Sequence, residues 1–292
     1  MADAKSCGKQ TKQKEFSYWR HVAKSFLRNP GAVGGAVVLM MLVISAVFAP
    51  FIAPHDPYDV TAERLTSPST EYPLGTDALG RCVFSRIIYG GRISLQVGLI
   101  SVGLAAIVGT ILGLVAGYVE GWADNIIMRF MDVLLAFPGI LLALVIVAVL
   151  GPGLINLMIA IGIATIPQYT RLVRGSMLSE KQEEYVLACR AQGASPLRRI
   201  VRHVLPNIAS PILVLATLGV AGAILSAAAL SFLGLGPSPP TAEWGSMLSG
   251  ARNYIRRAWW LATFPGVASI ISVLAINMVG DGLRDALDPQ LD

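Results

Sequence analysis

Charge is scarce in this chain, and so are the residues that perform chemistry. Of 292 residues only 14% are Asp, Glu, Lys or Arg, while 54% are hydrophobic. Soluble domains are about a quarter charged, so this composition excludes an ordinary soluble domain and indicates an integral membrane protein. Three cysteines, Cys7, Cys82 and Cys189, are too few and too scattered for a metal site or a disulfide framework. The three histidines, His21, His55 and His203, are equally dispersed and make no ligand cluster. No G-x-x-x-x-G-K-[ST] occurs, so the chain holds no P-loop for ATP. Neither a Ser–His–Asp set nor a carboxylate pair can be assembled, which argues against an enzyme.

The apolar runs lack ionisable residues in their interiors, where an ion-driven carrier needs a carboxylate or an equivalent ion site. They hold only small polar groups such as Ser45, Gln96, Ser101, Thr165, Ser226 and Asn277. Most of these suit hydrogen bonds across packed helices, and a few suit a path for a polar solute.

What the chain does have is long uncharged runs. Residues 29–54, 93–119, 133–170 and 204–242 contain no charge, and a further apolar stretch covers about 258–280. Runs of 38 and 39 residues exceed one helix. Gly151-Pro152-Gly153 divides the first of these, and the Gly- and Pro-rich SFLGLGPSPP ends the helix in the second. Pro138 and Pro167 are placed to kink their helices. Gly98, Gly103, Gly109, Gly113 and Gly117 offer a small-residue face for close helix packing. The expectation is an all-α integral membrane fold of six transmembrane helices with both termini in the cytoplasm. Sixteen Lys and Arg then lie inside and seven outside, as the positive-inside rule asks. This clustering between spans makes nucleic acid a poor partner despite the net charge of +5.

The parts follow in order. Residues 1–28 form a basic tail whose Phe16, Tyr18, Trp19 and Phe26 suggest an interfacial segment. Residues 29–92 hold the first span and an outer loop. There Asp77 is expected to cap a segment at Ala78, and Arg81, Arg86 and Arg92 to share one face of an interfacial helix. Residues 93–282 form the core, with Arg129 and Asp132 spaced to pair, and residues 283–292 form a second tail.

One polar stretch, residues 171–207, interrupts the core with seven Lys or Arg. Such charge cannot lie in hydrocarbon, so it is a loop on one membrane face. Leu187, Ala188 and Ala191 can share a face of one short helix. Gly193 can end that helix with φ > 0. Ser195 reads as an N-cap and Pro196 as the first residue of a second helix, whose apolar side is Leu197, Ile200, Val201 and Val204. Two readings stay open on these residues: a pair of helices resting on lipid, and a docking lobe for a soluble partner.

Several motifs together resemble one family. The lobe EYVLACRAQGASPLRRIVRHVLPN is similar to the coupling loop of permease subunits in ATP-binding-cassette importers, at Ala188, Gly193, Leu205 and Pro206. Leu187 stands where the family often has Glu, and Cys189 where it often has Ala. PLGTDALGR, SRIIYGGRISL, IMRFMDVLLAFPGILLA, LSFLGLG, EWGSML and GDGLRDALDP are similar to the dipeptide, oligopeptide and nickel group, and to the second of its two permeases. Cys82 stands where an Asp is common.

The resemblance implies a type I importer permease of the bacterial inner membrane with a coupling loop at residues 175–207. ATPase coupling would fall on Glu184, Leu187, Ala188, Gly193, Ala194, Ser195, Pro196, Arg198, Leu205 and Pro206. It also implies a second homologous permease, two cytoplasmic ATPases that bind ATP and Mg, and an extracytoplasmic solute-binding protein. The chain itself would need no cofactor. Its solute would be a di- or oligopeptide, with nickel, glutathione or another small solute as the alternative. An ATPase-independent channel, an ion-coupled carrier and a membrane scaffold are the rivals from other classes.

Overall fold

The uncharged runs become helices, and the polar punctuation becomes their ends. The structure is a computed structural model that describes residues 22–60 and 62–287. Cys7, His21, Phe16, Tyr18 and Trp19, with most of the basic tail and the last five residues, lie outside the described residues. After a helical lead-in over residues 22–28, the helices are α1 (Pro30–Val47), α2 (Ala49–Ile52), α3 (Val83–Val119) and α4 (Gly121–Leu135). They continue with α5 (Gly139–Leu150), α6 (Leu154–Glu180), α7 (Glu184–Ala191) and α8 (Pro196–Arg199). A π-helical turn, Ile200–Val204, joins α8 to α9 (Leu205–Phe232), and α10 (Trp244–Ala251) and α11 (Trp260–Leu287) complete the order. Among the described residues the only β feature is an isolated bridge between Thr76 and Cys82.

Six spans are not what the fold contains. Among the described residues four helical stretches are long and apolar enough to cross a membrane: Pro30–Val47, Val83–Val119, Pro196–Phe232 and Trp260–Leu287. A fifth is reached only if α4 and α5, bent by 91° at their junction, count as one. The expected third span is therefore broken. Pro138 ends the regular backbone there and becomes the N-cap of α5, because its ring cannot continue a helix. The expected fourth span, α6, is too polar along its length. It carries Asn156, Gln168, Tyr169, Thr170, Arg171 and Arg174. Its apolar side faces other helices, so packing rather than lipid contact accounts for it.

The central pair is α3 and α6, which run parallel. Gly109, Gly113 and Gly117 of α3 meet Tyr169, Val173 and Met177 of α6, each series stepping by four residues. A Cβ on Gly113 would sit 2.7 Å from the Thr170 carbonyl oxygen and 2.7 Å from Val173 Cβ, so only hydrogen fits. Gly103, in contrast, faces open space and has no packing role. Ser101 Oγ donates to the Met158 carbonyl at 3.0 Å along the same seam. Around this pair a core of Val97, Ala105, Val147, Leu157, Ile161, Ala223 and Leu230 joins α3, α5, α6 and α9. Helix α11 packs between α9 and α1.

The end opposite the polar lobe is closed by buried polar groups. Arg86 is 5% exposed and belongs to α3, not to a separate interfacial helix with Arg81 and Arg92. It donates to the carbonyls of Pro57 (3.1 Å), Pro240 (3.2 Å) and Thr241 (3.5 Å), and lies 3.7 Å from Asp77 Oδ2. Asp77 caps a turn, accepting from the backbone of Leu79 and Arg81, and no helix starts at Ala78. Trp244 donates from Nε1 to the Ile87 carbonyl at 3.0 Å, and the Glu243 carboxylate caps α10 at Gly245 and Ser246.

Candidate coupling surface

The lobe is built from α7, the corner at Gly193, α8 and the π turn. Helix α7 ends in a full Schellman motif. The Ala194 N–H donates to the Cys189 carbonyl (3.1 Å) and the Gly193 N–H to the Arg190 carbonyl (3.0 Å). Gly193 has φ of +77°, the left-handed conformation that satisfies both bonds. The chain then turns through Ser195 into Pro196 at the first position of α8. Ser195 is the N-cap by backbone only. Its carbonyl accepts from the Arg199 N–H at 3.0 Å, while its hydroxyl makes no capping bond.

Where a second short helix is expected, α8 instead runs into α9. The Leu205 N–H bonds to the Ile200 carbonyl, a step of five residues. The cause is Pro206, which has no N–H for the preceding turn and would press on the carbonyl four residues back. One wide π turn absorbs the mismatch.

The inner face of the lobe is set by Val186, which sequence periodicity passes over. Val186 and Val204 are buried with Val173, Met177 and Ile208, and Tyr118 and Ile200 pack against them. A polar triangle adds to this anchor. Tyr185 Oη donates to the Glu180 carboxylate, and Asn207 Nδ2 donates to Glu180 Oε1 (2.8 Å) and to Tyr185 Oη (2.7 Å). Partial burial, and after it the bond to Glu180, push the Tyr185 phenol above its ordinary range, so it remains a donor at neutral pH. These residues tie α7 to the end of α6 and the start of α9. They lie up to 27 positions apart, and no local pattern links them.

The outer face is free. Leu187, Leu197 and Val201 are 49%, 71% and 54% exposed. Glu184, Ala188, Gly193, Ser195, Pro196, Arg198 and Pro206 are exposed beside them, and Ala194 and Leu205 are half-buried. All ten residues named from the resemblance thus lie on one lobe, eight of them exposed.

Below the lobe, α4 is laid across the end of α6 by three ion pairs. Asp124 grips Arg174 through both oxygens (2.5 and 2.6 Å), Asp132 holds Arg171 (2.6 Å), and Glu120 holds Lys181 (2.6 Å). The expected pairing of Arg129 with Asp132 gives way to this contact 39 positions away. Farther along, a cleft of about 360 Å³ opens between α5, α6 and α9. Small residues wall it, including Gly139, Ala143, Gly219 and Gly222, with Thr165 and Gln168 as polar groups.

The lobe is thus anchored from within by Val186 and Val204 and leaves Leu187, Leu197 and Val201 uncovered. The family of "binding-protein-dependent transport system inner membrane component" matches residues 109–292, more than half of the chain. The chain belongs to this family. It is a multi-pass permease of the bacterial inner membrane, a transport subunit rather than an enzyme, of the importer class that works with an ATPase. The N-terminal membrane domain of oligopeptide transport permease C matches residues 17–68 of the permease. The di/tripeptide transport system permease protein DppC of Pseudomonas aeruginosa is 50% identical over 275 residues, covering 92% of this chain and 91% of that one. The glutathione transport system permease protein GsiD of Pectobacterium atrosepticum is 47% identical over 275 residues, covering 94% and 91%. Among solved structures, a chain of the MetNI methionine transporter in an inward-facing conformation superposes with a TM-score of 0.56 at 17% identity. That match covers 70% of the permease and 97% of the MetNI chain and extends to the fold alone.

Proposed function

We propose that this permease forms half of the translocation path of an importer for dipeptides or short oligopeptides. The observation that carries the coupling part is the free apolar face of Leu187, Leu197 and Val201 on a lobe anchored through Val186, Tyr185 and Val204. In this reading the lobe faces the cytoplasm and seats in one of two ATPase subunits, with Glu184, Leu187, Ala188, Gly193, Ala194, Ser195, Pro196, Arg198, Leu205 and Pro206 at or beside the contact. The ATPases bind ATP and Mg and supply the energy. A second homologous permease completes the path, and an extracytoplasmic binding protein delivers the solute to the end that holds Arg86 and Trp244.

The cleft between α5, α6 and α9 supports a role in the path. Its walls are small and its few polar groups are uncharged, which suits a peptide backbone carrying many different side chains. Alternating access then requires an element with two arrangements, biased by ATP at one end and by loaded binding protein at the other.

The solute rests on relatives named for di/tripeptide and for glutathione transport. The deciding experiment is uptake by the reconstituted complex with its binding protein, offered dipeptide, tripeptide, glutathione and nickel in turn. ATP-dependent uptake of dipeptide or tripeptide is expected. Uptake of glutathione or nickel alone would move the substrate. Transport by the permease without any ATPase would overturn the coupling reading.

A further inference from the structure

Beside α7, and sharing Leu187 with the exposed apolar surface, lies a cavity of about 430 Å³. Its floor is apolar and includes Met177, Val186, Ile200 and Val204. Its walls bring together three cations, Lys181, Arg190 and Arg199, with one carboxylate, Glu120.

Lys181 Nζ lies 2.6 Å from Glu120 Oε1, so that pair is already neutral. Among the described residues the other two cations have no counter-ion. Arg199 Nη2 donates to Tyr118 Oη at 2.8 Å, and its guanidinium rests 5.7 Å from the centre of the Tyr118 ring. Its Nε–H is shut off from solvent and meets no acceptor. Arg190, at the mouth, is exposed and makes no side-chain hydrogen bond or ion pair among the described residues. A partly buried guanidinium without an anion is unfavourable, and an anion entering the cavity would relieve that cost. The Gln182 side chain also lines the space and offers amide donors.

Position narrows the choice of anion. The cavity opens where the apolar helix α3 ends at Val119 and the chain turns polar at Glu120. For a membrane-crossing helix this is the depth of lipid headgroups. An apolar floor beneath two unpaired arginines matches a phosphate carried on a greasy body better than a free carboxylate.

We propose that this cavity binds a phosphate group, held by Arg199 and Arg190, whose source is the headgroup of an anionic phospholipid. Bound there, the phosphate joins α7, the π turn and the end of α3, and stiffens the lobe beside its apolar face. Inorganic phosphate shares the chemistry and is the other source that the experiment must separate.

The test uses the full-length permease with its ATPase partner in nanodiscs. Bound lipid is read by native mass spectrometry in phosphatidylcholine with and without phosphatidylglycerol. Wild type is expected to retain phosphatidylglycerol selectively. Arg190→Gln should weaken retention about tenfold, the loss of one direct charge-assisted contact to the phosphate. Arg199→Gln should weaken it at least as much. Arg202→Gln, on the same lobe but outside the cavity, should leave it unchanged.

In phosphatidylcholine alone, inorganic phosphate is titrated and its binding read by thermal shift. Binding that depends on Arg190 and Arg199 supports the phosphate site and makes free phosphate its source. Because Arg190 has no hydrogen bond to lose, its variant tests the site even where Arg199→Gln fails to fold. Equal losses for Arg190→Gln and Arg202→Gln would reduce the effect to general surface attraction and overturn the proposal. Retention of neither anion would also overturn it.

Discussion

The two ends of the permease solve opposite problems. At the end holding Arg86, polar groups are buried and paired: three carbonyls and Asp77 surround one guanidinium, and Trp244 and Glu243 are fully enclosed. At the lobe end, apolar side chains are exposed, the polar triangle is itself reachable by solvent, and the buried anchors, Val186 and Val204, are apolar. A buried polar network fixes one arrangement, because removing any member leaves another without a partner. An exposed apolar face carries no such penalty and gains only when something covers it. The first end therefore contributes to folding, and the second leaves a face open for the docking proposed above. Substitutions should separate the two.

The largest effect is expected at the buried end. Arg86→Met leaves the Pro57, Pro240 and Thr241 carbonyls without this donor and Asp77 with Arg81 as its remaining cation, a loss of about 3–5 kcal/mol by analogy with broken buried ion pairs. Thermal unfolding of the purified complex should show a large drop in midpoint, with little folded protein recovered. A midpoint near that of wild type would mean that Arg86 is not the keystone of that end.

Next comes the seam between α3 and α6. Gly113→Val places carbon where 2.7 Å is available, and overpacking of this kind costs about 1–3 kcal/mol. The same unfolding assay should show a smaller decrease. Unchanged stability would mean that the two helices can separate at no cost.

Gly193→Val sharpens the contrast, because a side chain there meets nothing within 4 Å and only the backbone angle resists. Holding a β-branched residue at φ of +77° costs about 1–2 kcal/mol, confined to the corner. The membrane helices should unfold as in wild type, while ATP-dependent uptake and co-purification of the ATPase are lost. Full ATPase retention with normal uptake would place the coupling surface elsewhere.

The smallest effect belongs to Arg198→Glu. An exposed charge contributes less than about 1 kcal/mol and is screened by salt. ATPase affinity should fall modestly at low salt and recover as salt is raised. A loss independent of salt would point to a buried contact in the complex.

What could be read from the chain beforehand was local. Gly193 with Pro196 marked the corner of the lobe, and Gly151-Pro152-Gly153 marked the break before α6, because each acts through its own backbone angles. What escaped was set at a distance. Asp124 and Asp132 choose partners 50 and 39 positions away, and Val186 faces inward only because α6 and the π turn meet there. The count of spans failed for a related reason. Length and lack of charge cannot distinguish a straight crossing from a pair bent by 91°, and counting charges alone passes over the Asn156, Gln168 and Thr170 that help make α6 too polar.

The glycine seam has a mechanical consequence. With the side chains of Tyr169, Val173 and Met177 seated directly on Gly109, Gly113 and Gly117, sliding or rolling of α6 past α3 would unseat that packing, so tilting together as a single beam is the motion that preserves it. Helix α6 has 27 residues and is therefore about 40 Å long at 1.5 Å per residue. Tilting such a beam by roughly 10° about its lobe end sweeps the far end through about 7 Å. If the lobe turns under a partner ATPase as proposed, a small rotation where α7 joins the beam would become a displacement wider than a peptide backbone at its far end.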